Sequence, residues 1–141
     1  MNHDAVEHVS ASVGPQLKRG LDAALRSRPP PSALPALVAD VLHRTLQQVE
    51  DALVADFLAL LPQDPAAVAR LDPLRARELL NDKSSPNAGY HRTSRAFGGT
   101  TALVALVDAA RANLWVANVG DCIAGACLIS LPRRRSPWGE R

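Results

Sequence analysis

Four residues near the start of the chain have the right types to ligate a metal. His3, Asp4, Glu7 and His8 lie within two helical turns, and Asp4 with His8 (i, i+4) can share a face. The same residues equally make a solvated helix start, and no anchoring ligand stands out elsewhere in the sequence. Ser10 and Ser12 have no histidine and aspartate at a recognisable motif spacing, which speaks against nucleophilic catalysis. The sequence has no P-loop, no Gly-x-Gly-x-x-Gly and no Cys-x-x-Cys pair. Its two cysteines, Cys122 and Cys127, are five residues apart in what reads as one strand. They would point to opposite faces, so they read as free thiols in a reducing compartment. Arg133-Arg134-Arg135 could form a phosphate-binding or nuclear-targeting patch, or belong to a basic tail outside the fold.

The elements that must position such residues follow from composition. The chain has 141 residues, 47% of them hydrophobic, which suits one globular domain. Aromatic residues make up only 4%, so the core must be built from Leu, Val and Ala. The net charge of +2 is uneven: residues 133–141 carry four arginines against Glu140, leaving 12 basic and 13 acidic residues, or −1, in the body. A near-neutral body argues against nucleic acid as a partner. No run approaches the roughly 20 apolar residues of a membrane span. Asp4 and Glu7 interrupt the start, which lacks a signal peptide's apolar stretch and is poor in arginine. These features lead us to expect an intracellular protein, cytoplasmic or mitochondrial, of open oligomeric state.

Helices are expected over residues 5–80. Val6, Val9 and Val13 suggest one short helix; Gly14-Pro15 interrupts; Leu17, Leu21 and Leu25 suggest a second. Arg28 to Pro31 form a stiff connector. The clearest helix runs from Leu34 to Leu61, with Ser32 as N-cap, Pro35 in its first turn and Pro62 as its stop. Its apolar stripe passes through Val38, Val41, Leu42, Leu46, Val49, Leu53 and Phe57. A weaker helix is expected over Pro65 to Leu80, and a loop over 81–98 around Ser84-Ser85-Pro86-Asn87-Ala88-Gly89. After Gly98-Gly99 the period changes. Thr100 to Val107 and Leu114 to Val119 read as a β-hairpin with a six-residue connection, followed by a third strand, Cys122 to Ile129. Nearly unbroken apolarity predicts strands covered on both faces, one by the long helix and one by another sheet.

The string Gly99-Thr100-Thr101-Ala102-Leu103-Val104-Ala105-Leu106-Val107, then Leu114-Trp115-Val116-Ala117-Asn118-Val119-Gly120-Asp121, resembles the metal-dependent protein phosphatases of type 2C, or PPM. Its finer wording is most similar to the pyruvate dehydrogenase phosphatase-like branch of fungi. The resemblance implies an α+β fold, part of an α-β-β-α sandwich in which antiparallel sheets are flanked by helices. It also implies hydrolysis of phosphoserine and phosphothreonine in phosphoprotein substrates, with water activated between two Mg²⁺ or Mn²⁺ ions. Hard divalent ions need clustered oxygen ligands for that chemistry.

By the resemblance, residues 1–129 form a partial phosphatase domain and 130–141 a divergent basic tail, expected to be disordered. One metal position carries over: Asp121 matches the family's Gly-Asp-Ser-Arg aspartate. An aspartate there can equally serve the turn by accepting from backbone N–H groups. Three departures stand beside the match. The start reads as what normally follows the family's Asp-Gly-His-Gly metal motif, Cys122-Ile123 replaces Ser-Arg, and the last residues match nothing in the family. The expected function is therefore a phosphatase-derived chain, truncated at both ends and without activity. The alternatives are a non-catalytic binding module and an incomplete gene product.

Overall fold

The computed structural model describes residues 3–125. Helix α1 (His3–Leu25) and helix α2 (Leu34–Leu58) pack against each other, with a 3₁₀ turn, Pro31–Ala33, leading into α2. Two short helices follow, α3 (Pro65–Ala69) and α4 (Pro73–Asn81), then α5 (Gly89–Gly98). The chain then forms an antiparallel hairpin of β1 (Ala102–Val107) and β2 (Leu114–Val119), with Ala102 opposite Val119 and Val107 opposite Leu114. The class is α+β.

Several boundaries differ from those expected. Gly14 and Pro15 lie inside α1 and do not break it. A proline inside a helix forfeits one backbone bond, here to the carbonyl of Ala11. Burial on both sides of that point, at Ala5 and Leu17, holds the two halves on one layer, and tertiary packing overrides the local penalty. Ser32 falls within the 3₁₀ turn and is not the N-cap; Ala33 takes that position without a side-chain bond, and Pro35 sits in the first turn as expected. Helix α2 ends at Leu58, and bonds from Leu60 N to Phe57 O and Leu61 N to Leu58 O tighten the chain toward Pro62.

The single helix expected over Pro65 to Leu80 is two. Asp64 and Asp72 each accept from a backbone N–H two or three residues on, Ala66 and Arg75, so each caps a new helix that opens with proline. The segment expected as a loop over 81–98 contains α5. Its turn-forming residues occupy only 84–89; from Tyr90 to Phe97 there is neither glycine nor proline to stop a helix. Gly89 is required where α5 meets α4, because a Cβ there would lie 1.7 Å from the carbonyl oxygen of Leu79.

The core is formed by Leu17 of α1 and Val38, Val41 and Leu42 of α2, with Val104, Leu106, Trp115 and Ala117 of the hairpin packed against them. The indole of Trp115 donates to the carbonyl of Pro35 at 3.1 Å, which fixes β2 over the first turn of α2. The long helix thus covers one hairpin face, as the apolar stripe predicts. The other face is not covered by a second sheet among the described residues: Leu103, Val107, Leu114 and Val116 are 41–60% exposed. Cys122 to Gly125 form no strand, and the remainder of the expected third strand lies outside the described residues, as do Cys127 and the basic tail. Among the described residues no helix is long and apolar enough to cross a membrane.

Candidate functional site

Two places hold the residues that sequence singled out: a recess between α1 and α5, and the turn after β2. The recess, about 520 Å³, is lined by Asp4, Glu7 and His8 of α1, His91 and Arg95 of α5, and the Lys83–Pro86 segment before it. The i, i+4 spacing does place Asp4 and His8 on one face, and that face meets α5. Asp4 Oδ2 lies 3.2 Å from His91 Nδ1, and both side chains are half-buried. The Asp4–His91 bond puts the proton of the neutral ring on Nδ1 and leaves Nε2 able to accept one. Arg95 donates through Nη1 to His8 Nδ1 at 3.3 Å and through Nη2 to Asn87 Oδ1 at 3.3 Å. Because a guanidinium can only donate, Nδ1 of His8 is the unprotonated nitrogen.

Partial burial raises the pKa of Asp4, but hydrogen bonds from His91 and Ser94 and the charges of His91 and Arg95 outweigh it. The carboxyl is held below its ordinary value of 3.8. Asp4 and His8 are thus not simply a solvated helix start; they are used to dock α5. His3 and Glu7 are exposed, and the four residues do not converge on a metal. Sequence reasoning missed His91, Arg92 and Arg95 because their helix was read as loop. The signal was present in the i, i+4 spacing of His91 and Arg95.

Asp121 occupies an exposed turn at the end of β2. Gly120 before it has φ of 86°, in the left-handed region that glycine adopts freely, and a Cβ there would meet Thr101 Cγ2 at 2.6 Å. Asn118 Nδ2 donates to the carbonyl of Cys122 at 2.6 Å and so ties the turn back to the strand. The opposite end of the hairpin is closed by a different aspartate. Asp108 accepts from the Asn113 side chain at 2.7 Å and from the backbone N–H groups of Ala112 and Asn113. Those bonds, led by the Asn113 side chain, hold its carboxyl below 3.8 against the opposing effect of partial burial. Asp108 thus bonds the 108–113 connection, while Asp121 is exposed in the bend after β2.

A binuclear Mg²⁺ or Mn²⁺ centre needs several carboxylates around a bridging water. Among the described residues no group of three or more His, Cys, Asp or Glu side chains is placed to hold a metal ion. Asp121 is not among the residues lining the Asp4–His91 recess. Among the described residues, those around Asp121 do not fit such a centre. No protein-family model, no curated protein and no solved structure matches the chain.

Proposed function

We propose that the chain carries a helix-and-hairpin portion of the metal-dependent protein serine/threonine phosphatase fold. In this reading it acts as a binding module and does not itself hydrolyse phosphoserine or phosphothreonine. The observation that carries this reading is the hairpin: two six-residue strands, a closed connection at Asp108–Asn113, and a positive-φ Gly120 followed by an exposed Asp121 at the end of β2. That is the order of features on which the sequence resemblance rests. The chemistry of the resembled enzymes requires several oxygen ligands for two ions, and Asp121 supplies one carboxylate.

The test is phosphate release from a phosphothreonine peptide by the purified chain with Mn²⁺ and with Mg²⁺. The expected result is no metal-dependent release. Turnover that Asp121→Asn abolishes would overturn the inactive reading.

A further inference from the structure

The segment between α4 and α5 carries a serine that the proposed function leaves unused. Ser85 precedes Pro86, and every residue from Asn81 to Asn87 is exposed. That length of accessible chain can be seated in the active site of a second protein. It is held as a turn, with Ala88 N donating to Ser85 O at 3.0 Å across Pro86 and Asn87. Proline-directed protein kinases select a Ser-Pro step because proline brings no N–H to be left unpaired in the kinase cleft. Ser84 lacks that proline, and both its backbone N–H and its side chain bond Asp82. The chain's other Ser-Pro step, Ser136-Pro137, lies outside the described residues.

The guanidinium of Arg95 stands beside this turn. It donates through Nη2 to Asn87 Oδ1, within the same turn as Ser85, and through Nη1 to His8 Nδ1, each at 3.3 Å. Both acceptors are neutral, and both bonds are long. Ser85, Lys83 and Arg95 line one recess of about 520 Å³, and Lys83 is held over the Tyr90 ring at 4.1 Å. Two carboxylates line it as well. Asp4 directs its hydrogen bonds to His91 and Ser94, and Glu7 is exposed, where solvent and salt screen it. A phosphoserine carries about −1.5 to −2 charge and three strong acceptor oxygens. A planar guanidinium bonds two such oxygens side by side, and bonds of this kind are about twice as strong as those to neutral acceptors. A phosphate on Ser85 therefore outcompetes Asn87 and His8 for Arg95.

We propose that Ser85 is a phosphorylation site for a proline-directed kinase and that Arg95 receives its phosphate, tying the 82–88 segment to α5. The terminal phosphoryl group of ATP moves to Ser85 Oγ. The bond from that phosphorus to the oxygen retained by ADP breaks, a P–Oγ bond forms, and the hydroxyl proton leaves through the kinase's catalytic base. The consequence falls on α5, whose contacts with α1 are polar at Asp4–His91 and His8–Arg95. The phosphate gives Arg95 a charged partner in the segment that leads into α5, so the helix opens less often. The inference goes beyond the phosphatase reading and does not depend on it.

The test uses the full chain with Ser136→Ala, incubated with a proline-directed kinase and ATP. Mass spectrometry should place a phosphate on Ser85, and Ser85→Ala should remove it. In ³¹P NMR the second ionisation of that phosphate, ordinarily near pH 6, should move down by about half a pH unit or more relative to the urea-unfolded chain. Arg95→Gln should return it to the unfolded value. Arg95→Lys, which keeps the charge without the fork, should return it in part and serves if the glutamine variant does not fold. Amide exchange across α5 should slow about threefold or more on phosphorylation. Failure to phosphorylate Ser85 in the folded chain would overturn the proposal. So would a phosphate ionisation equal in the folded and unfolded chains or unmoved by Arg95→Gln. Exchange in α5 that stays the same or quickens, as repulsion from Asp4 and Glu7 would cause, would overturn it too.

Discussion

Helix α1 is gripped by two neighbours in different ways. Against α2 it packs apolar side chains closely: Leu17 meets Val38, Val41 and Leu42, and at Gly20 a Cβ would lie 2.9 Å from Val41 Cγ1. Against α5 it offers polar groups, Asp4 to His91 and His8 to Arg95. Helix α5 also leaves Arg92 Nε, Thr93 Oγ1 and Arg95 Nε buried without a hydrogen-bond partner. One aromatic contact reinforces α5, the edge-to-face pair of Phe57 and Phe97 at 4.9 Å. Apolar burial between α1 and α2 therefore sets global stability. The α5 contact depends on protonation and is offset by desolvated polar atoms, so α5 is the helix expected to open first.

The comparison can be broken most sharply at the apolar interface. Leu42→Ala should cost about 2–5 kcal/mol, read as a lowered midpoint in denaturant; a loss below about 1 kcal/mol would mean that Leu42 is not in the shared core. Gly120→Ala comes next. The positive φ and the Thr101 contact should together cost about 1–3 kcal/mol, seen as a lower melting temperature with the hairpin affected and α1 and α2 retained. Thr93→Val should leave stability unchanged or raise it by up to about 1 kcal/mol, because it replaces an unsatisfied hydroxyl with a methyl of similar shape. A clear loss of stability would show that the hydroxyl is paired.

The smallest effect is with pH. Asp4 has a lowered folded pKa, so its contribution is present above the ordinary aspartate range and is lost as pH falls through the lowered value, below 3.8. Amide exchange in α5 should quicken as pH drops from about 5 to about 3 by more than the intrinsic pH dependence. The Asp4→Asn variant should lack that excess. An excess retained in Asp4→Asn would assign the opening to another group.

The strands and the long helix were legible because their signals are local and strong. Short, nearly unbroken apolar runs replace the 3.6 period after Gly99, and the stripe of α2 reads directly as its buried side. What could not be read depends on partners distant in sequence. Pro15 continues a helix because Ala5 and Leu17 are both buried. Helix α5 forms where composition suggests a loop because Gly89 fits against Leu79 and His91 and Arg95 find α1. Of the candidate site residues, the shared face of Asp4 and His8 was legible from spacing, but what that face meets, 87 residues away, was not. Asp121 lies in the bend that the sequence places after β2, while the bonding of Asp108 across the 108–113 connection was not read from the sequence.

The β1–β2 hairpin carries the proposed reading, and residue-resolved amide exchange tests its register directly. The amides of Trp115, Ala117 and Val119 should be protected through β1, and those of Leu114, Val116 and Asn118 should exchange at least tenfold faster, in alternation along the strand. Fast exchange at Trp115, Ala117 and Val119 with protection at Leu114, Val116 and Asn118 would contradict this register.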